Sequence, residues 1–196
     1  SFRVTTRILL PLKFTNCRNL RTEQGLFCRR KLVEQLGEDG WIAMGWPKEF
    51  GGQGKSAIEQ FIFYDETMRV GSPAPMLTIN TVGPTIMEYG TDEQKDFFLP
   101  QIAAGKLHFC IGYSEPDAGT DLASLTTKAV RDGDEYVING QKTWTSLALG
   151  CDYIWLAART NLDVPKHKGI SLFAVPIDTP GITIEPLSPV SYTHLT

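Results

Sequence analysis

An α+β fold is predicted: a helical first half, followed by a small antiparallel β-barrel-like domain. Two observations carry this. Apolar residues recur at helical spacing up to about Gly105, and after Leu107 the interval falls from about 3.6 to 2, the spacing at which side chains share one face of a strand. Gly and Pro gather between the periodic stretches, where they punctuate turns. The chain then divides into an atypical N-terminal segment (1–22), a helical domain (23–105), a β domain (106–190) and an unassigned tail (191–196).

The first helix is expected over 23–37, with Cys28, Leu32, Val33 and Leu36 on one face and Gly37 and Gly40 as its stop. An apolar loop with two Trp follows over 40–54, and both Trp41 and Trp46 read as core. Ser56 with Glu59 forms a capping box, after which Ile58, Phe61, Ile62 and Met68 recur at helical spacing through a second helix. Ile79, Val82, Ile86 and Tyr89 predict a third helix, perturbed at Gly83-Pro84 because Pro lacks the donor a helix interior needs. Thr91 with Gln94 caps a fourth, which carries Phe98 and Ile102 on one face. In the second half, strands are expected over 108–113, 126–131, 135–139, 142–146, 153–159, 170–177 and 182–186. The second and third form a hairpin across Asp132-Gly133-Asp134.

Composition narrows the class. A net charge of -3 gives no basic field for a polyanion, so nucleic acid is not an expected partner. No apolar run approaches the roughly 20 residues of a membrane-spanning helix. Cys17, Cys28, Cys110 and Cys151 are scattered with no C-x-x-C pair, which suits reduced thiols in the cytoplasm better than a disulfide framework or a zinc site. His108 and His167 lack spaced partners for a metal, and none is expected. Before Glu23 the chain is basic, without an acidic residue. A fragment edge and a mitochondrial presequence, which would place the protein in the matrix, both fit that pattern.

The segment GYSEPDAGTDLASL (112–125) runs from an apolar strand into a turn of Gly, Pro and small hydroxyl residues. Such a turn leaves main-chain donors uncovered, with Ser114, Thr120 and Ser124 adding hydroxyls, so a structural turn and an anion cradle both fit it. A Rossmann nucleotide site is excluded, since no G-x-G-x-x-G opens a helix in a βαβ unit. Glu115 and Asp121 are expected to accept backbone donors within the loop, not to act as acid or base. Lys166, His167 and Lys168 read as a solvated cationic turn, with contact to phosphates as the alternative.

A second segment, NGQKTWTS (139–146), follows the hairpin, and together the two resemble the acyl-CoA dehydrogenase family. That family carries a T/S-E-P-x-A-G-S/T-D loop and then I-N-G-x-K-x-W-x-T/S. The first half also resembles it, through GWPKEFGGQG (45–54) and YGTDEQKDFFLPQIAAGK (89–106). The resemblance spans about 30–187 and is nearest to bacterial members, including those acting on bulky thioesters such as steroid side chains.

The resemblance implies FAD as cofactor and α,β-desaturation of an acyl-CoA thioester, with the β-hydrogen passing as hydride to flavin N5. It implies a flavin-binding role for Tyr113, Ser114, Gly119, Thr120, Trp144, Thr145 and Ser146, with Thr120 also bordering the thioester channel. Ser114 would direct its hydroxyl at the pyrimidine side of the ring, Ser146 would donate near N5, and Trp144 would pack as a flat apolar wall. Electron-transferring flavoprotein is the implied electron acceptor, and a homo- or hetero-oligomer the implied assembly. The family's catalytic base is a Glu of a C-terminal helical domain that these residues do not encode, so no catalytic residue is assigned and the chain alone is expected to be inactive. A non-catalytic partner subunit, or an acyl-CoA oxidase or flavin monooxygenase of the same fold, are the alternatives.

Overall fold

The computed structural model describes residues 23–185; the expectations for 1–22, Cys17 included, for residue 186 and for 191–196 fall outside it. Two compact units are present among the described residues, one of 23–74 with 104–106, the other of 75–103 with 107–185.

In the first unit, helix α1 (Glu23–Glu38) turns Leu32, Val33 and Leu36 inward, with Val33 fully buried. Its end is closed as the glycines predict: Gly40 takes a left-handed φ of 77°, and the Trp41 N–H reaches back to the Leu36 carbonyl at 2.8 Å. The 41–54 loop buries Ile42, Ala43, Met44 and Trp46, while Trp41 stacks on Phe63 with ring centroids 5.7 Å apart. Both tryptophans are therefore packed, as expected.

Helix α2 (Ala57–Arg69) begins with the expected capping box: Ser56 accepts from the Glu59 N–H, and Glu59 accepts from the Ser56 N–H at 2.8 Å. Its inward face is a different row from the one that the spacing picks out. Gln60, Phe63, Tyr64 and Thr67 turn inward, whereas Ile58, Phe61, Ile62 and Met68 are 56–73% exposed. Spacing marks both rows as helical faces, and the aromatic stack with Trp41 decides which one is covered here.

The second unit opens with a π-helical turn, Thr78–Val82, that runs into α3 (Gly83–Tyr89). The wide turn accommodates Pro84 while Ile79, Val82 and Ile86 stay buried. Tyr89 is exposed. Helix α4 (Asp92–Ala103) carries the expected cap, in which Gln94 and Thr91 exchange bonds of 3.0 and 3.3 Å, and it buries Leu99 and Ile102. Phe98 joins an aromatic cluster with Phe109 and Tyr153, at centroid distances of 5.7 and 5.3 Å.

The sheet comprises β1 (Phe109–Gly112), β2 (Lys128–Asp132), β3 (Glu135–Asn139), β4 (Tyr153–Arg159) and β5 (Ile170–Pro176). The α+β class holds. The sheet itself is open and mixed, not an antiparallel barrel, because β1 runs parallel to β4 with Phe109 opposite Tyr153. β5 pairs antiparallel along the whole of β4, and β2 touches its end through Lys128 and Arg159. The β2–β3 hairpin turns at Gly133 as predicted. Parallel pairing requires a crossover. Here the crossover from β1 to β4 carries the 112–125 loop, the hairpin and residues 140–152, so one connection contains every candidate site residue.

Residues 142–146 and 182–185 are not strands. In the first case Trp144 takes φ 58° and Leu147 φ 68°, which breaks the alternation that a ladder needs.

Candidate functional site

The two segments singled out from the sequence meet. The Thr143 N–H donates to the Ser114 carbonyl at 2.8 Å, and Lys142 Nζ donates to the Tyr113 carbonyl at 3.0 Å. Trp144, Thr145 and Ser146 continue from this junction. The turn after Ser114 is closed by reciprocal backbone bonds between Glu115 and Ala118, at 2.8 and 3.2 Å, which leave Pro116 and Asp117 at its exposed tip. Gly119 and Thr120 follow the turn and are exposed; a Cβ built at Gly119 would meet nothing within 4 Å. Tyr113 is half-buried against Ala118, Leu125 and Ala157, and burial pushes its phenol pKa up, so that it stays neutral.

Glu115 organises the junction. It is 5% exposed, and its carboxylate accepts from the Thr126 N–H at 2.6 Å, the Thr126 hydroxyl at 2.7 Å and the Thr127 N–H at 2.9 Å. Lys142 Nζ adds an ion pair at 2.9 Å. Burial alone would raise the carboxyl pKa, but the bonds from Lys142, Thr127 and Thr126 outweigh it and hold the group well below the ordinary carboxylate range. Glu115 is thus a fixed anion that positions two loops, the structural role expected for it. Lys142 was missed in the sequence reading. Its signal was a lone Lys inside the second segment that could match an acid inside the first.

Trp144 is the least ordinary residue of the site. A bulky side chain at positive φ is rare and costly, on the order of 1–3 kcal/mol, and such strain collects at ligand clamps. Here it leaves the indole 57% exposed, next in the chain to the exposed Leu147 and Leu149. Thr145 is half-buried and its carbonyl accepts from Ala148; Ser146 is exposed and Ser114 half-buried. The junction thus carries a strip of Ser114, Trp144, Thr145 and Ser146, with Gly119 and Thr120 exposed beyond the Glu115–Ala118 turn.

Away from this strip, Arg159 gathers the Leu125, Ala123 and Lys166 carbonyls, the last at 3.0 Å. With Lys128 and Lys166 it borders an open pocket of about 280 Å³. The Lys166–Lys168 segment is a short 3₁₀ turn with exposed side chains. Among the described residues, no helix is long and apolar enough to cross a membrane.

Comparison with known proteins agrees with this architecture. Residues 15–106 match the N-terminal domain of acyl-CoA dehydrogenases, and residues 110–195 match the middle domain. The chain belongs to the acyl-CoA dehydrogenase family. It is 62% identical over 161 residues to acyl-CoA dehydrogenase FadE26 of Mycobacterium tuberculosis, covering 81% of this chain and 40% of that protein. Among solved structures, it is similar to a Tcur3481-Tcur3483 steroid ACAD, with TM-score 0.82 and 55% identity over 88% of this chain and 44% of the other. The ChsE4-ChsE5 complex from Mycobacterium tuberculosis follows, with TM-score 0.74 and 55% identity over 90% and 49%. The chain therefore spans less than half the length of these relatives.

Proposed function

We propose that the chain supplies the flavin-facing part of an FAD-dependent dehydrogenase that introduces an α,β double bond into a bulky acyl-CoA thioester. One observation carries the reading: the Thr143 N–H to Ser114 carbonyl bond of 2.8 Å, which joins both segments and presents Trp144 at φ 58° beside them. The residues suit a flavin. An exposed indole offers area to a flat heteroaromatic ring, and the hydroxyls of Ser114 and Ser146 offer donors to its polar edge. Gly119 has room for a phosphate to approach the backbone, with Thr120 as a neighbouring donor. Bound there, FAD would supply a two-electron acceptor for the β-hydrogen.

The chain's own contribution is binding and polarisation. Tyr113 and Ser114 would lend backbone and hydroxyl to a bound flavin, Trp144 and Thr145 would exclude water from one face of it, and Ser146 would donate to its polar edge. Lys142 and Glu115 hold these groups in register. Residues 106–190 act as the flavin-facing domain and 23–105 as the helical domain. None of the described residues is assigned the α-proton base. The cations around the 280 Å³ pocket fit the phosphates of the CoA moiety. The steroid ACAD among the relatives favours a polycyclic acyl group over a straight chain, and the paired relatives favour a hetero-oligomeric assembly; electron-transferring flavoprotein is the acceptor that the family resemblance implies.

The test uses the full-length protein loaded with FAD under anaerobic conditions. Mixing with steroid side-chain CoA thioesters should bleach the flavin and yield stoichiometric enoyl-CoA, faster than straight-chain thioesters do. Bound FAD that no acyl-CoA reduces would overturn the reading.

A further inference from the structure

Beside the junction lies a pair of thiols that the proposed reaction does not use. Cys110, in β1, and Cys151, just before β4, have sulfurs 3.0 Å apart, and both are free. They come from chain segments 41 residues apart, so the fold creates the pairing. A frame holds them on both sides. The Asp152 and Tyr153 N–H groups donate to the His108 carbonyl at 2.9 and 3.2 Å, and the His108 N–H donates to Asp152 Oδ2 at 2.8 Å. Cys151 lies outside the β1–β4 ladder, in which Cys110 stands opposite Ile154, and the chain leading into β4 brings its sulfur to that of Cys110. Closing the bond requires the sulfurs to approach by about 1 Å, to the roughly 2.05 Å of a disulfide.

We propose that Cys110 and Cys151 are a redox-active dithiol, oxidised by a hydroperoxide to a disulfide that ties the turn after Ser146 to strand β1. The roles differ between the two thiols. Cys110 is fully buried and Cys151 is 7% exposed, so a small peroxide reaches Cys151 first. Their hydrogen bond is the main cause that pulls the Cys151 thiol down and pushes the Cys110 thiol up, which makes Cys151 the better source of thiolate. The Cys151 thiolate attacks the terminal peroxide oxygen; an S–O bond forms, the O–O bond breaks, and the leaving alkoxide takes a proton to become an alcohol. The Cys110 sulfur then attacks the Cys151 sulfur; the S–S bond forms, the S–O bond breaks, and hydroxide leaves with the Cys110 proton as water. In total, two thiols and one hydroperoxide give one disulfide, one alcohol and one water, and a dithiol reductant reverses the change.

The location gives the bond a consequence. Cys110 precedes Tyr113 by three residues and Cys151 follows Ser146 by five, so the link ties the chain leading into the first segment to the chain leaving the second.

The experiment is independent of the dehydrogenation reaction. The full-length protein is treated with hydrogen peroxide, its remaining thiols are alkylated under denaturing conditions, and its peptides are mapped by mass without reduction. The expected product is one peptide pair joined through Cys110 and Cys151, lighter by two hydrogen atoms and restored by dithiothreitol, with Cys28 alkylated. In Cys110→Ser, a sulfenic acid on Cys151 should be trapped by dimedone; in Cys151→Ser, Cys110 should stay a free thiol. Recovery of Cys110 and Cys151 from the wild type as free thiols, as separate sulfinic acids, or as links to other cysteines would overturn the proposal. Because the wild-type map decides by itself, a variant that fails to fold does not shield it.

Discussion

Lys142 Nζ stands 2.9 Å from Glu115 Oε1, an ion pair that joins two loops 27 residues apart, with the side chains only 11% and 4% exposed. Removing one partner leaves the other charge buried and alone, which typically costs roughly 3–5 kcal/mol. Glu115→Ala also strands the Thr126 and Thr127 N–H groups. Glu115→Ala should therefore lower the urea midpoint far more than the exposed substitution Asp117→Ala in the same turn. Equal midpoints would show that the pair does not hold the junction.

Acid should act through the same carboxylate. The folded pKa of Glu115 lies below its unfolded value, so its contribution is complete above the ordinary Glu pKa of about 4.3. That contribution is lost as pH falls from there towards the depressed folded value. Unfolding midpoints measured from neutral to about pH 3 should fall more steeply for the wild type than for Glu115→Gln, which has no such proton to take up. Parallel slopes would contradict the assignment.

A Cβ at Gly140 would overlap Thr127 Oγ1 and sit 2.7 Å from the Thr127 Cα, where main chain cannot easily move. Gly140→Ala should cost about 1–3 kcal/mol and loosen the second segment as a whole. Thermal melts measure the first effect. Faster hydrogen exchange at the Thr143 amide, which bonds the Ser114 carbonyl, would report the second.

These predictions depend on what the sequence exposed and what it concealed. The capping boxes at Ser56 and Thr91, the hairpin at Gly133 and the glycine stop at Gly40 are local, and each was legible because neighbouring residues make the contacts. The Glu115–Lys142 and Cys110–Cys151 pairs were not, since only the crossover from β1 to β4 brings them together. Residues 142–146 misled the reading for a different reason. Their Thr-Trp-Thr run favours a strand, and nothing in it reveals that Trp144 sits at positive φ. On α2, periodicity marked the row of Ile58, Phe61, Ile62 and Met68, and without the position of Trp41 it could not show that Phe63 and Tyr64 are the covered residues. The candidate flavin residues came from the resemblance, and the fold adds the contact between their two segments.

The cationic pocket predicts a separate kinetic signature. Lys128→Glu and Lys166→Glu should each raise KM for the CoA thioester about two- to fivefold with kcat nearly unchanged, the pattern of lost uniform binding by exposed charges. A fall in kcat at constant KM would place these lysines elsewhere in the cycle.

The central claim, that the 139–146 segment faces the flavin, is tested most directly by the two-electron midpoint potential of the FAD-loaded full-length protein carrying Ser146→Ala. A donor that strengthens as charge develops on the ring contributes about 1–3 kcal/mol, so its loss should lower the potential by about 20–60 mV. A potential equal to that of the wild type, with FAD fully bound, would contradict the account.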